Sequence, residues 1–194
     1  MKITNIIGSP RASGNSATIA RMLLECWQTS TPQVKTYELN GLTYRGCQGC
    51  MACKTTSDKC VVTDGLSLVL EEIRTSDVVV IASPIYCGDV SAQTKGLIDR
   101  CYSYYQPDYL TNPHPGRLAP GKKLVFVVSQ GNPDPKAYED VITKYTRTFR
   151  RIGFTDIYPL RVLGVGPKSD GRADETLTQL INATAAKVVA DAGI

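Results

Sequence analysis

Four cysteines crowd one short stretch of an otherwise ordinary sequence: Cys47, Cys50, Cys53 and Cys60, in the pattern C-x2-C-x2-C-x6-C. Thiolates are soft ligands that suit iron and zinc. Three of them at intervals of three let one tight loop wrap a cubane, and the fourth arrives from the following turn. A [4Fe–4S] cluster takes four thiolates, and a C-x2-C-x2-C run is a common compact form of its ligand set. Gly46 and Gly49 are placed to turn that loop. Two other readings stay open. Structural zinc usually presents two knuckles about a dozen or more residues apart, which this spacing lacks. Free thiols or disulfides are the plain alternative. The chain has seven cysteines in all, an odd number that does not suit a disulfide framework. Cys26 and Cys101 fall on predicted helix faces and read as small buried hydrophobes, and Cys87 reads as a packing residue.

A second group of residues offers cofactor chemistry. Gly8-Ser9-Pro10-Arg11-Ala12-Ser13-Gly14-Asn15-Ser16 follows a short apolar run and leads into a helical pattern. It supplies hydroxyls, an amide, a guanidinium and the free N–H groups of a helix start, which is what a phosphate monoester needs. The spacing is neither a dinucleotide G-x-G-x-x-G nor a nucleotide P-loop. An ordinary polar turn with a Ser or Asn cap is the bland reading. Ser83-Pro84-Ile85-Tyr86-Cys87-Gly88-Asp89 follows the most apolar run and places a flat aromatic face in a predicted loop. Ser129-Gln130-Gly131-Asn132-Pro133 adds hydrogen-bonding groups and a glycine. Each alone is a turn. Together they suit a phosphorylated planar cofactor.

The elements that must position these residues follow from periodicity. Lys2–Ile7 reads as a buried strand, and Ser16 to about Thr29 as a helix with Ile19, Ala20, Leu23, Leu24 and Trp27 on one face. Gln33–Leu39 is a weaker strand. Residues 40–63 have no period, a length of irregular chain that usually marks function or disorder. Asp64 can cap a helix carrying Leu66, Val69, Leu70 and Ile73. Residues 77–83 form a β-branched run suited to a central strand, and Ser91 to about Tyr105 reads as helix. Residues 106–121 are rich in proline and glycine and read as loop. Lys123–Val128 is a further strand. A helix then runs from near Asp134 to a C-cap at Gly153, a strand covers Phe154–Val165, and a helix spans Ala173–Ala192.

Strand alternating with helix implies right-handed crossovers and a parallel sheet covered on both faces. The expected architecture is a single α/β domain over residues 1–194, doubly wound, with five strands in the order 2-1-3-4-5 and a cysteine-rich loop at about 40–64. Ligands of such folds bind outside the carboxyl ends of the strands, where strand order reverses. The loops after strands one, three and four meet there.

The remaining composition excludes more than it proposes. Hydrophobic residues make up 42% and charged residues 21%, and no run approaches the roughly 18 apolar residues of a membrane span. A net charge of +4, with scattered basic residues, gives no nucleic-acid footprint. The first residues form an apolar run too short for a signal-peptide core, so a reducing cytoplasm is the expected compartment. His114, the one histidine, lies in Asn-Pro-His-Pro-Gly and reads as a surface-loop residue rather than a catalytic one. Lys144, Arg147, Arg150 and Arg151 form the densest basic patch. A solvated helix face is the default for it, and an acidic redox partner the sharper reading.

Taken together, Gly8-Ser-Pro-Arg-x-x-Gly-Asn-Ser16, the four-cysteine motif and Ser83-Pro-Ile-Tyr-x-Gly88 resemble the iron–sulfur flavoprotein family. That family lies within the NADPH-dependent FMN reductase group of flavodoxin-like proteins. The likeness runs from Met1 to about Arg100, with Ser91-Ala-Gln-x-Lys95 and Asp99-Arg100 continuing it, and is looser beyond Tyr102. The resemblance implies a flavodoxin-like fold with FMN at the strand ends. Ser9, Arg11, Asn15 and Ser16 would hold the phosphate, and Pro84, Ile85, Tyr86 and Gly88 would line the isoalloxazine. Ser129, Gln130 and Gly131 are matched by position in the fold. It also implies a [4Fe–4S] cluster on the four cysteines, NAD(P)H or ferredoxin as donor, and a homodimer or homotetramer. Where the family often carries paired acidic residues after the fourth cysteine, this chain has Asp64-Gly65.

A flavin takes up electrons in pairs and releases them singly, while an iron–sulfur cluster carries one at a time. The expected function is therefore electron transfer between a small-molecule or protein donor and acceptor. No paired catalytic carboxylates are evident. One rival is an NAD(P)H-dependent FMN, quinone or azo-compound reductase whose cysteines are vestigial or structural. Another is a zinc-stabilised binding module that is not an enzyme.

Overall fold

The computed structural model describes residues 1–28, 32–166 and 175–191. Three strands carry the apolar runs: β1 (Lys2–Ile7), β3 (Val78–Tyr86) and β5 (Lys123–Ser129). Their interiors are covered on both faces, which is why these runs do not alternate with polar residues. On β3, Val79 and Ile81 face one core, while Val78, Val80 and Ala82 face the other. β2 (Gln33–Glu38) and β6 (Asp156–Val162) close the two edges. Pro159 is tolerated in β6 because an edge strand can spare an N–H.

The parallel strands run in the order β2-β1-β3-β5-β6. The sheet has a further two-residue strand, β4 (Asp89–Val90), which pairs antiparallel with the end of β3. Counting the parallel strands alone gives the predicted 2-1-3-4-5 order. The first helix, α1 (Asn15–Glu25), and the last, α6 (Glu175–Ala190), cover one face. On the other lie α3 (Gly65–Thr75), α4 (Ala92–Arg100) and α5 (Glu139–Ile152). Phe126 of β5 meets Tyr145 and Phe149 of α5 at ring centroids of 6.1 and 5.5 Å, which fixes α5 across the sheet.

Several boundaries differ from the sequence expectation. α1 ends at Glu25 rather than near Thr29, with Trp27 still buried past its end and Cys26 as its C-cap. Cys26 is exposed, and its thiol donates to Met22 and Asn182, so it is not a buried hydrophobe. Cys101 is buried as expected. The helix expected from Ser91 to Tyr105 stops at Arg100 and tightens into a 3-10 turn over Cys101–Tyr104. α5 begins at Glu139, because residues 132–137 are tied up in side-chain turns and Tyr138 takes a left-handed φ of 66°. Inside the aperiodic stretch, Leu39–Gly41 forms a 3-10 turn and α2 (Ala52–Thr55) one helical turn. Residues 173, 174 and 192 of the predicted last helix lie outside the described residues.

Candidate active site

The loop after β1 is built for close approach. Gly8 donates its N–H to Ala82 at 2.8 Å, and its carbonyl accepts from Ser91 Oγ at 2.6 Å. A Cβ on Gly8 would stand 1.8 Å from Thr94 Oγ1, so only glycine lets the loop lie against the start of α4. Ser9 Oγ accepts from the Arg11 N–H at 3.1 Å and donates to the Arg11 carbonyl at 2.9 Å, closing a tight turn. α1 then starts at an N-cap glycine, Gly14, with no side chain capping its first turn. Ser16 Oγ is buried there without a hydrogen-bond partner among the described residues. An uncapped helix start, an orphaned hydroxyl and the exposed Arg11 are together the donor set that a phosphate would complete. Asn15 points elsewhere, donating from Nδ2 to the Gly166 carbonyl at 3.0 Å.

The segment after Ala82 is not the open loop expected from its proline and glycine. β3 continues through Pro84, paired with Ser129, to Tyr86. Cys87 (φ 48°) and Gly88 (φ 83°) then form a two-residue turn, and Tyr86 pairs with Asp89. Positive φ at both central residues is the type I′ pattern that matches the twist of a hairpin. The hairpin leaves Tyr86 42% exposed and puts Cys87 at an exposed turn, so Cys87 is not a packing residue. Asp89 holds the base of the hairpin against α5, accepting from Lys144 Nζ and Tyr145 Oη at 2.8 Å each. Burial raises the Asp89 carboxyl, but the bonds from Lys144, Tyr145 and its neighbour's N–H leave it below the ordinary range.

Ser129 at the end of β5 and Gln130 after it are buried, and Gly131 is exposed. Gln130 is fully occupied within the protein. Its Nε2 donates to the Asn132 carbonyl at 2.8 Å, and its Oε1 accepts from Arg161 Nη2 at 2.7 Å. Its backbone bonds Val162 and Val165. Gln130 therefore shapes the loop, and Gly131 is the part that faces outward.

All four clustered cysteines line one small cavity, together with Arg100 and Tyr102. Gly49 (φ 63°) and Met51 (φ 58°) take left-handed conformations on either side of Cys50; Gly46 does not. The loop therefore turns at Gly49 and Met51 before α2 carries Cys53 inward. Cys53 is buried, Cys60 half-buried, and Cys47 and Cys50 exposed, all as free thiols. Two of the sulfurs meet cations: Arg100 Nε donates to Cys60 at 3.0 Å, and Lys54 Nζ to Cys53 at 3.5 Å. Among the described residues no three or more His, Cys, Asp or Glu side chains close on a point as ligands of one ion would. A cubane spreads its thiolates over four corners, so the shared cavity and the cationic donors are the features that bear on it. Those features fit such a group.

A family model for the flavodoxin-like fold matches residues 1–187. The chain belongs to the flavodoxin-like fold family. It is 35% identical over 100 residues to an iron–sulfur flavoprotein of Methanosarcina thermophila, covering 52% of each chain. It is 29% identical over 122 residues to an FMN-dependent NADH:quinone oxidoreductase of Escherichia coli, covering 61% of each. The chain spans about half the length of the first curated relatives it matches. Among solved structures, an FMN-dependent NADH-azoreductase of Bacillus anthracis in complex with FMN superposes with a TM-score of 0.67. It shares 14% identity, and the match covers 96% of this chain and 98% of that one.

Within this flavodoxin-like chain the predicted residues sort into three positions. Ser9, Arg11, Asn15, Ser16, Pro84, Ile85, Tyr86, Gly88, Ser129, Gln130 and Gly131 all lie at the carboxyl end of the sheet, as strand order required. The cysteines, between β2 and α3 in the chain, line a cavity with Arg100 at the end of α4. The basic patch divides: Lys144 pairs with Asp89 and Arg151 donates to the Tyr109 carbonyl, while Arg147 and Arg150 are exposed. His114 is exposed, as expected. Three residues to which sequence reasoning assigned no role matter most at the cysteines: Arg100, Lys54 and Arg117. Arg117 Nη1 donates to the Cys53 carbonyl at 2.9 Å and the Ser103 carbonyl at 3.1 Å. No spacing rule marks Arg100 and Arg117, which reach the loop from distant elements, whereas Lys54 stands beside Cys53 in the chain itself.

Proposed function

We propose that this protein is an FMN-dependent oxidoreductase that passes electrons between a flavin at the strand ends and a [4Fe–4S] cluster on Cys47, Cys50, Cys53 and Cys60. The observation that carries it is the gathering of all four cysteines on one cavity, two of them already met by cations. The names of its iron–sulfur flavoprotein relatives support the same reading. The family match favours it over a zinc-stabilised module.

Bound there, FMN would exchange electron pairs or single electrons, and the cluster single electrons only. The protein contributes binding and orientation. The start of α1, Ser16 Oγ and Arg11 bind the phosphate, and Ser9 keeps the turn closed around it. The β3–β4 hairpin presents Pro84, Ile85, Tyr86 and Gly88 as one stiff wall for the ring system, anchored by Asp89 to α5. Gln130 holds the third loop so that Gly131 leaves room for close backbone approach. The donor is NAD(P)H or a reduced protein partner docking near Arg147 and Arg150. The working state is a homodimer or homotetramer in the cytoplasm.

A second reading is an NAD(P)H-dependent FMN, quinone or azo-compound reductase without a functional cluster. The quinone oxidoreductase relative favours it. Anaerobic purification with an absorption spectrum and iron, sulfide and zinc analysis separates the two. Flavin bands on a broad brown shoulder, with about four irons per chain, are expected. Flavin without iron after anaerobic reconstitution would leave only the reductase. A full cluster in Cys53→Ala would overturn the ligand assignment.

A further inference from the structure

We propose that Arg100 is a positioning residue for the cysteine site: it fixes the Cys60 sulfur and stabilises negative charge there. This rests on the cluster reading above. The Arg100 side chain is completely buried at the end of α4. Its guanidinium makes four directed contacts. Nη1 donates to the Arg45 carbonyl at 2.9 Å and to Asp64 Oδ2 at 2.8 Å, Nη2 to the Val62 carbonyl at 2.8 Å, and Nε to Cys60 Sγ at 3.0 Å.

Arg45 precedes Cys47, and Val62 follows Cys60. One planar fork therefore pins both ends of the cysteine loop, with Asp64 offsetting its charge. A staple would need only the two carbonyls and the carboxylate. The third edge of the fork is aimed at a sulfur, and a neutral thiol is only a weak acceptor. A buried, charged donor is well matched to a sulfur that carries negative charge. The arrangement is also one-sided. Lys54 reaches Cys53, but no side chain among the described residues donates to the exposed Cys47 or Cys50. The inner half of the site is cationic and the outer half faces solvent.

Hydrogen bonds to cluster sulfurs are among the terms that set the reduction potential. Donation favours the reduced form, which carries one more negative charge, so Arg100 raises the potential. The test compares anaerobically purified wild-type protein with Arg100→Lys and Arg100→Gln. Flavin content, iron and sulfide content, circular dichroism and the midpoint potential of the iron–sulfur signal are measured on each. Arg100→Lys keeps a charge but not the fork. It is expected to retain flavin and fold while the potential shifts to a lower value, or while iron is lost and flavin retained. Iron content and potential unchanged in both variants would overturn the proposal. So would joint loss of flavin, iron and native dichroism in both, which would make Arg100 a residue of the fold alone. Wild-type protein that holds flavin but no iron would instead refute the cluster reading beneath it.

Discussion

Lys54 Nζ donates to the carbonyl of Tyr102 at 2.7 Å and lies 4.2 Å from the centre of the same residue's ring. It also donates to the Tyr105 carbonyl at 2.9 Å. One ammonium thus ties the helical turn that carries Cys53 to the start of the proline- and tyrosine-rich segment. Arg117 ties the far side of that segment to the Cys53 carbonyl. The segment is therefore a strap over the cysteine loop. Its own tyrosines, Tyr102, Tyr105 and Tyr109, pack with centroids 5.3 to 6.0 Å apart.

Removing the ammonium leaves both carbonyls without their cationic donor. Lys54→Met is expected to cost about 1.5–3 kcal/mol, the range for a hydrogen bond to a charged group. Urea unfolding measures that loss. Hydrogen exchange should quicken over residues 102–117 before the sheet is affected, and equal protection there in both proteins would contradict the strap.

Ser16 separates binding from stability. Its buried hydroxyl has no partner among the described residues, so Ser16→Ala should change apoprotein stability by less than about 0.5 kcal/mol. The same change should weaken FMN binding by about five- to tenfold, and Arg11→Ala by about tenfold or more. Quenching of flavin fluorescence on titration with apoprotein reads both. An unchanged affinity in Ser16→Ala would move the phosphate site away from α1.

Glu72 should shape the acid limb of the stability profile. It accepts from Lys35 at 2.6 Å and pairs with Lys2 at 2.9 Å. Hydrogen bonds from Lys35 and then Lys2 outweigh its burial and hold its carboxyl below 4.5. A carboxyl lowered in the folded state contributes stability that is fully present above the unfolded value. That contribution is lost as pH falls through the folded one. Glu72→Gln should therefore lower the urea midpoint at pH 7, and the difference from wild type should vanish towards pH 2.

Cys87 occupies the first central position of an I′ turn at φ 48°, where Asn or Gly is favoured. Cys87→Asn is expected to stabilise the protein by about 0.5–1 kcal/mol, read as a higher thermal midpoint. A lower midpoint would show that the thiol makes a contact the turn depends on.

The seven thiols should also divide by reactivity. Burial pushes the Cys101 thiol up to about 12, so it stays largely protonated and enclosed. Brief alkylation of the native protein at pH 8 should leave Cys101 unmodified and label the exposed Cys26 and Cys87. Mass spectrometry of the digested protein reads the sites.

The sequence by itself determined the parts that rest on local pattern. The β-branched runs, the helical stripes and the turn residues between them specify a doubly wound sheet. Strand order then sends Ser9, Tyr86 and Gly131 to one edge. The spacing of Cys47, Cys50, Cys53 and Cys60 likewise gathers a set of four thiols without any structure, because neighbours along a tight loop stay neighbours in space. The tertiary structure alone decided which groups complete that set. Arg100 reaches Cys60 from α4 and Arg117 reaches the Cys53 carbonyl from the strap, while Lys54, next to Cys53 in the chain, is held by the carbonyls of Tyr102 and Tyr105. It also turned the expected loop after β3 into a hairpin, since pairing with β5 runs on through Pro84. It exposed Cys26 and Cys87 as well, because burial depends on which way a residue faces at a helix end or a turn. Pattern records what a residue's neighbours in the chain require. What a cation or a thiol meets across the fold is set by packing between elements far apart in the chain, and no local spacing encodes it.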